Sequence, residues 1–146
     1  MDLGETVSET DTLSEKDKIF VAGIGCRKDT SAEIVLSVMA EALKTVGQES
    51  RQPKMLATGP IKANEPGIIE AAKQLGIPLI IVEQTALEAA APRTLTVSEV
   101  SLAYAGTPSL CEAAALAAAG ETAKLVAPRF VSDGVTCAIA ILNTET

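Results

Sequence analysis

Apolar positions along this chain alternate between short unbroken runs and a rhythm of three to four residues, and each switch marks a new element. IFVAGI, Ile19 to Ile24, is a continuous apolar run that predicts a buried strand of roughly 19–24. Val35, Val38, Met39, Ala42, Leu43 and Val46 then recur at helical spacing, which predicts a helix over about 31–46. Thr30 with Glu33 three residues on reads as its capping box, and Gly47 as its stop. After the polar connection QESRQPK, the run KMLAT (54–58) predicts a second strand. The loop GPIKAN leads to a helix of about 65–75, with Asn64 as N-cap, Pro66 in the first turn and Gly76 at the end. Pro78 precedes LIIV (79–82), a third strand expected to be buried on both faces.

The second half is less regular. QTALEAA reads as a short helix, and Ala91 to Gly106 as a long excursion containing one or two helical turns. TPSLCEAAALAAAG predicts a third clear helix, with Pro108 near its first turn, Ser109 and Glu112 as a second capping box, and Gly120 as its stop. AKLVAPRF and VTCAIAIL are joined across Asp133-Gly134, a hairpin turn signal, so they are expected to pair antiparallel. The βαβαβ start favours parallel strands joined by right-handed crossovers. The predicted fold is therefore α/β: three layers, a mostly parallel sheet of about five strands with the last strand antiparallel, and helices on both faces.

Charge is uneven along the chain. Of the formal net charge of −7, residues 1–18 supply −4, through six acids and two lysines. They lack apolar periodicity and read as a mobile acidic leader ahead of a single domain over 19–142. The leader has neither a basic start nor an apolar stretch, so no secretory signal is expected, and no apolar run reaches the ~20 residues that span a bilayer. A cytoplasmic location follows as the default. The acidic body and its few aromatics argue against nucleic acid as a partner. Histidine is absent, which removes the commonest metal ligand and general base. Neither a metal site nor a cofactor is expected. The cysteines, Cys26, Cys111 and Cys137, have no CxxC spacing and read as free thiols, the last two in the core.

In open α/β sheets ligands bind beyond the carboxyl ends of the strands. Three loops are candidates there: Gly25, Cys26, Arg27, Lys28 and Thr30, leading to Ser31; Thr58 to Glu65, with Lys62 and Asn64; and Gly106-Thr107-Pro108-Ser109. All three lead towards helix N-termini, whose free N–H groups favour anions, and Arg27, Lys28 and Lys62 add formal positive charge. An anionic ligand is one reading; solvated cations and ordinary caps are the other. The first loop lacks the dinucleotide fingerprint, because Lys28 stands where a third glycine is needed, and no GxxxxGK[ST] string occurs. A small phosphate ligand is thus a weaker alternative. Cys26 beside two cations and ahead of a helix would favour a thiolate, but a small residue tolerated at a turn is the simpler reading and the preferred one. Lys62 could bind a carboxylate or polarise a carbonyl, and Glu65 could act as acid or base or simply complement its helix dipole. Cys26, Lys62 and Glu65 are the catalytic candidates.

The segments GIGCRKDTSAEIV, IKANEPGIIEAAKQLGIPL, GTPSLCEAAALAAAG, KLVAPRF and VTCAIA, in that order and spacing, resemble the CobE/CbiG C-terminal domain family of cobalamin biosynthesis over about residues 19–141. The chain has no room for the further domains of the longer CbiG proteins and resembles the stand-alone form. Cys26, Arg27, Lys62 and Glu65 stand at matching positions. Asp29 stands where the family often has glycine, Asn64 where it often has aspartate, and Val97 where it often has proline before Ser98-Glu99. The resemblance implies a part in building the corrin ring, by binding or handling a precorrin through its carboxylates. It implies two alternatives: hydrolytic opening of a precorrin lactone, as in the longer relatives acting on cobalt-precorrin-5A, or a non-catalytic subunit docked on a pathway methyltransferase. The implied partners are a tetrapyrrole intermediate and other cobalamin-pathway enzymes.

Overall fold

A computed structural model describes residues 18–48 and 51–143. The residues read above as an acidic leader lie outside them, except for Lys18, which is the first residue of a strand. The elements run β1 (Lys18–Cys26), α1 (Ala32–Thr45), β2 (Met55–Thr58), a 3-10 turn (Pro60–Lys62), α2 (Pro66–Leu75) and β3 (Leu79–Ile81). There follow α3 (Gln84–Ala90), a second 3-10 turn (Ala91–Arg93), α4 (Glu99–Ala105), α5 (Leu110–Ala119), β4 (Lys124–Ser132) and β5 (Val135–Asn143).

The five strands form one sheet in the order β3-β2-β1-β5-β4. β1, β2 and β3 are parallel, and β5 runs antiparallel to both of its neighbours. β1 lies at the centre because its side chains are apolar on both faces. Phe20, Ala22 and Ile24 face α1 and α2 in one core, and Val21 faces α3 and α5 in the other. The three-layer architecture expected from the sequence is the one observed. No helix among the described residues is long and apolar enough to cross a membrane.

Two contacts set how closely the layers approach. A Cβ built on Gly23 would collide with the carbonyl oxygen of Cys111, so α5, rich in alanine, lies directly on β1. A Cβ on Gly67 would collide with the carbonyl oxygen of Thr30, so the start of α2 is pressed against the loop after β1.

Several local expectations are corrected. Ser31, not Thr30, caps α1, its Oγ accepting the Ile34 N–H at 3.3 Å, while Thr30 Oγ1 donates to the Arg27 carbonyl at 2.7 Å. Glu65 is the N-cap residue of α2 and Asn64 lies one step before it, exposed. The 3-10 turn at Pro60–Lys62 uses up the loop length that would have let Asn64 cap. β3 is an edge strand with Ile81 38% exposed, not a strand buried on both faces, because no fourth parallel strand follows it. Ser109 precedes α5 without a side-chain cap bond, and Glu112 turns away to distant partners. Asp133 and Gly134 both have positive φ, 53° and 79°, the backbone of a tight hairpin turn. Asp29 also has positive φ, 66°, at the position where glycine is the cheaper residue.

Candidate functional site

The sheet order brings four segments to one end. β1 is flanked by β2 on one side and β5 on the other, so the chain diverges at the carboxyl end of β1, the usual place for a crevice in such folds. Cys26 at the end of β1 pairs with Val135 at the start of β5, which puts the β4–β5 turn beside the β1 loop. A cleft of about 520 Å³ opens there. Gly25, Cys26 and Arg27 come from the end of β1, and Ile61 and Lys62 from the 3-10 turn after β2. Ser98, Val100, Ser101 and Ala105 come from α4 and its cap, and Leu110 from α5. Arg129, Val131, Gly134 and Thr136 come from the hairpin.

Local chemistry fixes each wall. The Arg27 N–H donates to the Gly134 carbonyl at 2.9 Å, and the aliphatic stem of Arg27 covers Gly134 so closely that a Cβ there would stand 2.9 Å from Arg27 Cδ. Ser98 caps α4 by accepting the Ser101 N–H, and Ser101 Oγ in turn accepts the Leu110 N–H at 2.9 Å, so α4 is tied to the first residue of α5. Lys62 is 3.6 Å from Glu65 Oε1, and Glu65 Oε2 accepts the Asp29 N–H at 2.8 Å. Glu65 therefore links the loops after β1 and β2. It does not line the cleft.

Cys26 is half-buried, and its thiol is pushed up from the ordinary range by burial first and by the negative charge of Glu65 second; Lys62 and Thr30 pull the other way without reversing the shift. Arg27 and Lys28, the neighbours that would favour a thiolate, are exposed, and the shift runs the other way because burial outweighs Lys62. Cys111 and Cys137 are buried core thiols, as expected.

Of the loop residues singled out from the sequence, Gly25, Cys26, Arg27 and Lys62 line the cleft. The others do not. Lys28 and Asn64 are exposed outside it. Thr30 and Ser31 face a separate shallow depression of about 340 Å³, with Asp29, Pro66, Gly67 and Glu70. Thr58 is fully buried and donates to the Ile24 carbonyl at 2.7 Å, holding β2 to β1. Gly106 ends α4 at φ 71°, and Thr107 is fully buried with no hydrogen-bond partner for its Oγ1 among the described residues. The third loop thus frames the cleft through its flanks, Ala105 and Leu110. Among the described residues no group of three His, Cys, Asp or Glu side chains is placed to hold a metal ion.

Residues 20–140 match the family described as cobalamin synthesis G C-terminus. The chain belongs to that family. Protein CobE of Sinorhizobium sp is 35% identical over 120 residues, which is 82% of this chain and 78% of that protein. The crystal structure of CobE, a protein from the cobalamin (vitamin B12) biosynthetic pathway, aligns with a TM-score of 0.82 at 34% identity, covering 88% of this chain and 94% of the other. That of cobalamin biosynthesis protein chiG from Agrobacterium tumefaciens str. C58 aligns with a TM-score of 0.67 at 49% identity, covering 84% and 97%.

In this family member the cleft has a mixed character. Ile61, Val100, Leu110 and Val131 supply apolar surface, and Arg27, Lys62 and Arg129 bring cations from three different elements. Such a site can hold a flat apolar body whose rim carries acceptors or negative charge. Reading the sequence by loops missed Arg129, Val131, Gly134 and Thr136. The Asp133-Gly134 turn signal, taken with the antiparallel pairing of β5 on β1, was the available clue to them.

Proposed function

We propose that this protein binds a precorrin-class tetrapyrrole in the cleft at the carboxyl end of β1, holding the ring against its apolar wall and the peripheral carboxylates with its cations. The observation that carries this reading is the convergence of Arg27, Lys62 and Arg129 on one largely apolar cleft in an otherwise acidic chain. A precorrin is a flat apolar ring edged with acetate and propionate groups, and the cleft offers both kinds of partner. Binding is better supported than lactone hydrolysis. The Cys26 thiol is held protonated by burial, and Glu65 is already engaged by the Asp29 N–H and Lys62, away from the cleft wall. Exposed Leu95, Val97, Val100 and Leu102 lead up to the cleft and through α4, which supports, as a second reading, docking on another enzyme of the pathway.

The test is a titration of the purified protein with hydrogenobyrinic acid, followed in the visible spectrum. A saturable spectral shift is expected. Arg27→Ala and Lys62→Ala should each weaken binding about tenfold, the loss of one charge-assisted contact. Unchanged affinity in both variants removes this site, and release of acetaldehyde from a lactone-bearing precorrin would favour the hydrolase reading.

A further inference from the structure

Glu112 is fully buried in the first turn of α5, and all its partners lie elsewhere in the chain. Its Oε1 accepts the N–H groups of Leu95 at 2.7 Å and Thr96 at 3.1 Å. Its Oε2 accepts the N–H of Arg129 at 2.8 Å and the hydroxyl of Thr96 at 3.2 Å. The Arg129 donor is available because β4 is irregular at this point: its pairing with β5 jumps from Ala127 to Phe130, and Pro128 between them has no N–H. Leu95 and Thr96 begin the strap that leads into α4. Both segments go on to line the cleft, the strap with Ser98, Val100 and Ser101, the hairpin with Arg129 and Val131.

We propose that Glu112 is a positioning residue: one buried carboxylate fixes the strap and the β4 bulge against α5 and so sets the separation of two walls of the cleft. The fastening stands on geometry; its effect on ligand rests on the tetrapyrrole reading. A carboxylate suits the role because both oxygens must accept. In Glu112→Gln the side chain keeps its shape, but its NH2 must face either the Leu95 and Thr96 donors or the Arg129 donor, so one wall is always released.

Amide hydrogen exchange resolved by residue, with the hydrogenobyrinic acid titration alongside, tests this. In the wild type the amides of Leu95 and Thr96 are expected to exchange about tenfold more slowly than that of neighbouring Val97, as hydrogen-bonded groups do. In Glu112→Gln, exchange should speed up at Leu95 and Thr96 or at Arg129, with α1 and α2 unchanged, and affinity should fall about tenfold. Wild-type Leu95 and Thr96 amides that exchange as fast as Val97 overturn the proposal without any variant. So does a Glu112→Gln protein that loosens a wall yet binds ligand as tightly as the wild type. If the wild type itself takes up no hydrogenobyrinic acid, the ligand reading fails and the exchange data alone decide whether Glu112 holds the two segments.

Discussion

Cys111 shows how one residue ties stability to pH. Its side chain is sealed at the start of α5, and burial pushes the thiol up to about 11, with smaller opposing contributions from the hydroxyls of Ser109 and Thr136. Burial penalises only the thiolate, so the folded chain keeps this proton to higher pH than the unfolded chain, which releases it near the ordinary thiol value of 9.0. The contribution is therefore complete below pH 9 and is lost as the pH rises through the folded value. The full shift corresponds to roughly 2–3 kcal/mol. Urea unfolding at pH 8 and pH 11 should show wild type losing about that much more stability than Cys111→Ala. Identical losses in the two proteins would mean that the thiol does not titrate on unfolding. Cys26 was harder to read from sequence. Its neighbours Arg27 and Lys28 were visible, but the carboxylate of Glu65, thirty-nine positions on, and the half-burial that raises the thiol were not.

At the scale of elements, the tightest constraint is the seat of α5 on β1. Gly23 faces the helix where its backbone passes, and the obstructing atom is the Cys111 carbonyl oxygen, which cannot rotate aside. Gly23→Ala must move the helix, so a loss of about 1–3 kcal/mol is expected, as for other overpacked cores. For a domain of this size that is a fall in Tm of roughly 5–10 °C at the upper end, measurable by circular dichroism. A Tm within 1 °C of wild type would show, on the order-of-magnitude scaling, that α5 does not bear on Gly23. The helix and its alanines were legible because their periodicity and stop signals are local. The cap was not: Ser109 and Glu112 have the spacing of a capping box, yet Glu112 is drawn to Leu95, Thr96 and Arg129, sixteen or seventeen residues away, which need the carboxylate more than the helix end does. β3 was misjudged for a related reason, since LIIV carries no sign that the sheet ends there. α4 was legible only as an unspecified turn or two, because it leaves Val100 and Leu102 exposed and so lacks the one-sided pattern of a packed helix.

Across the whole molecule, charge and shape fit the anionic ligand proposed for the cleft. The chain carries a net −7, yet Arg27, Lys62 and Arg129 meet at one opening beside Gly25 and Thr136. Two of these cations stand in loops after parallel strands and could be found from sequence. Arg129 is delivered by a hairpin that closes the other side of the sheet, a long-range pairing no local pattern displays. Attraction between such a cluster and a polycarboxylate acts over several ångströms and is screened by salt. The Debye length shrinks from about 10 Å at 0.1 M to about 3 Å at 1 M. Apolar contact with Ile61, Val100, Leu110 and Val131 does not weaken in the same way. The dissociation constant for hydrogenobyrinic acid should therefore rise about tenfold between 0.1 and 1 M sodium chloride, and Arg27→Ala should flatten that dependence as well as raise the low-salt value. A dissociation constant that stays level with salt, or falls, would assign the affinity to the apolar wall and leave the cations without a part in recognition.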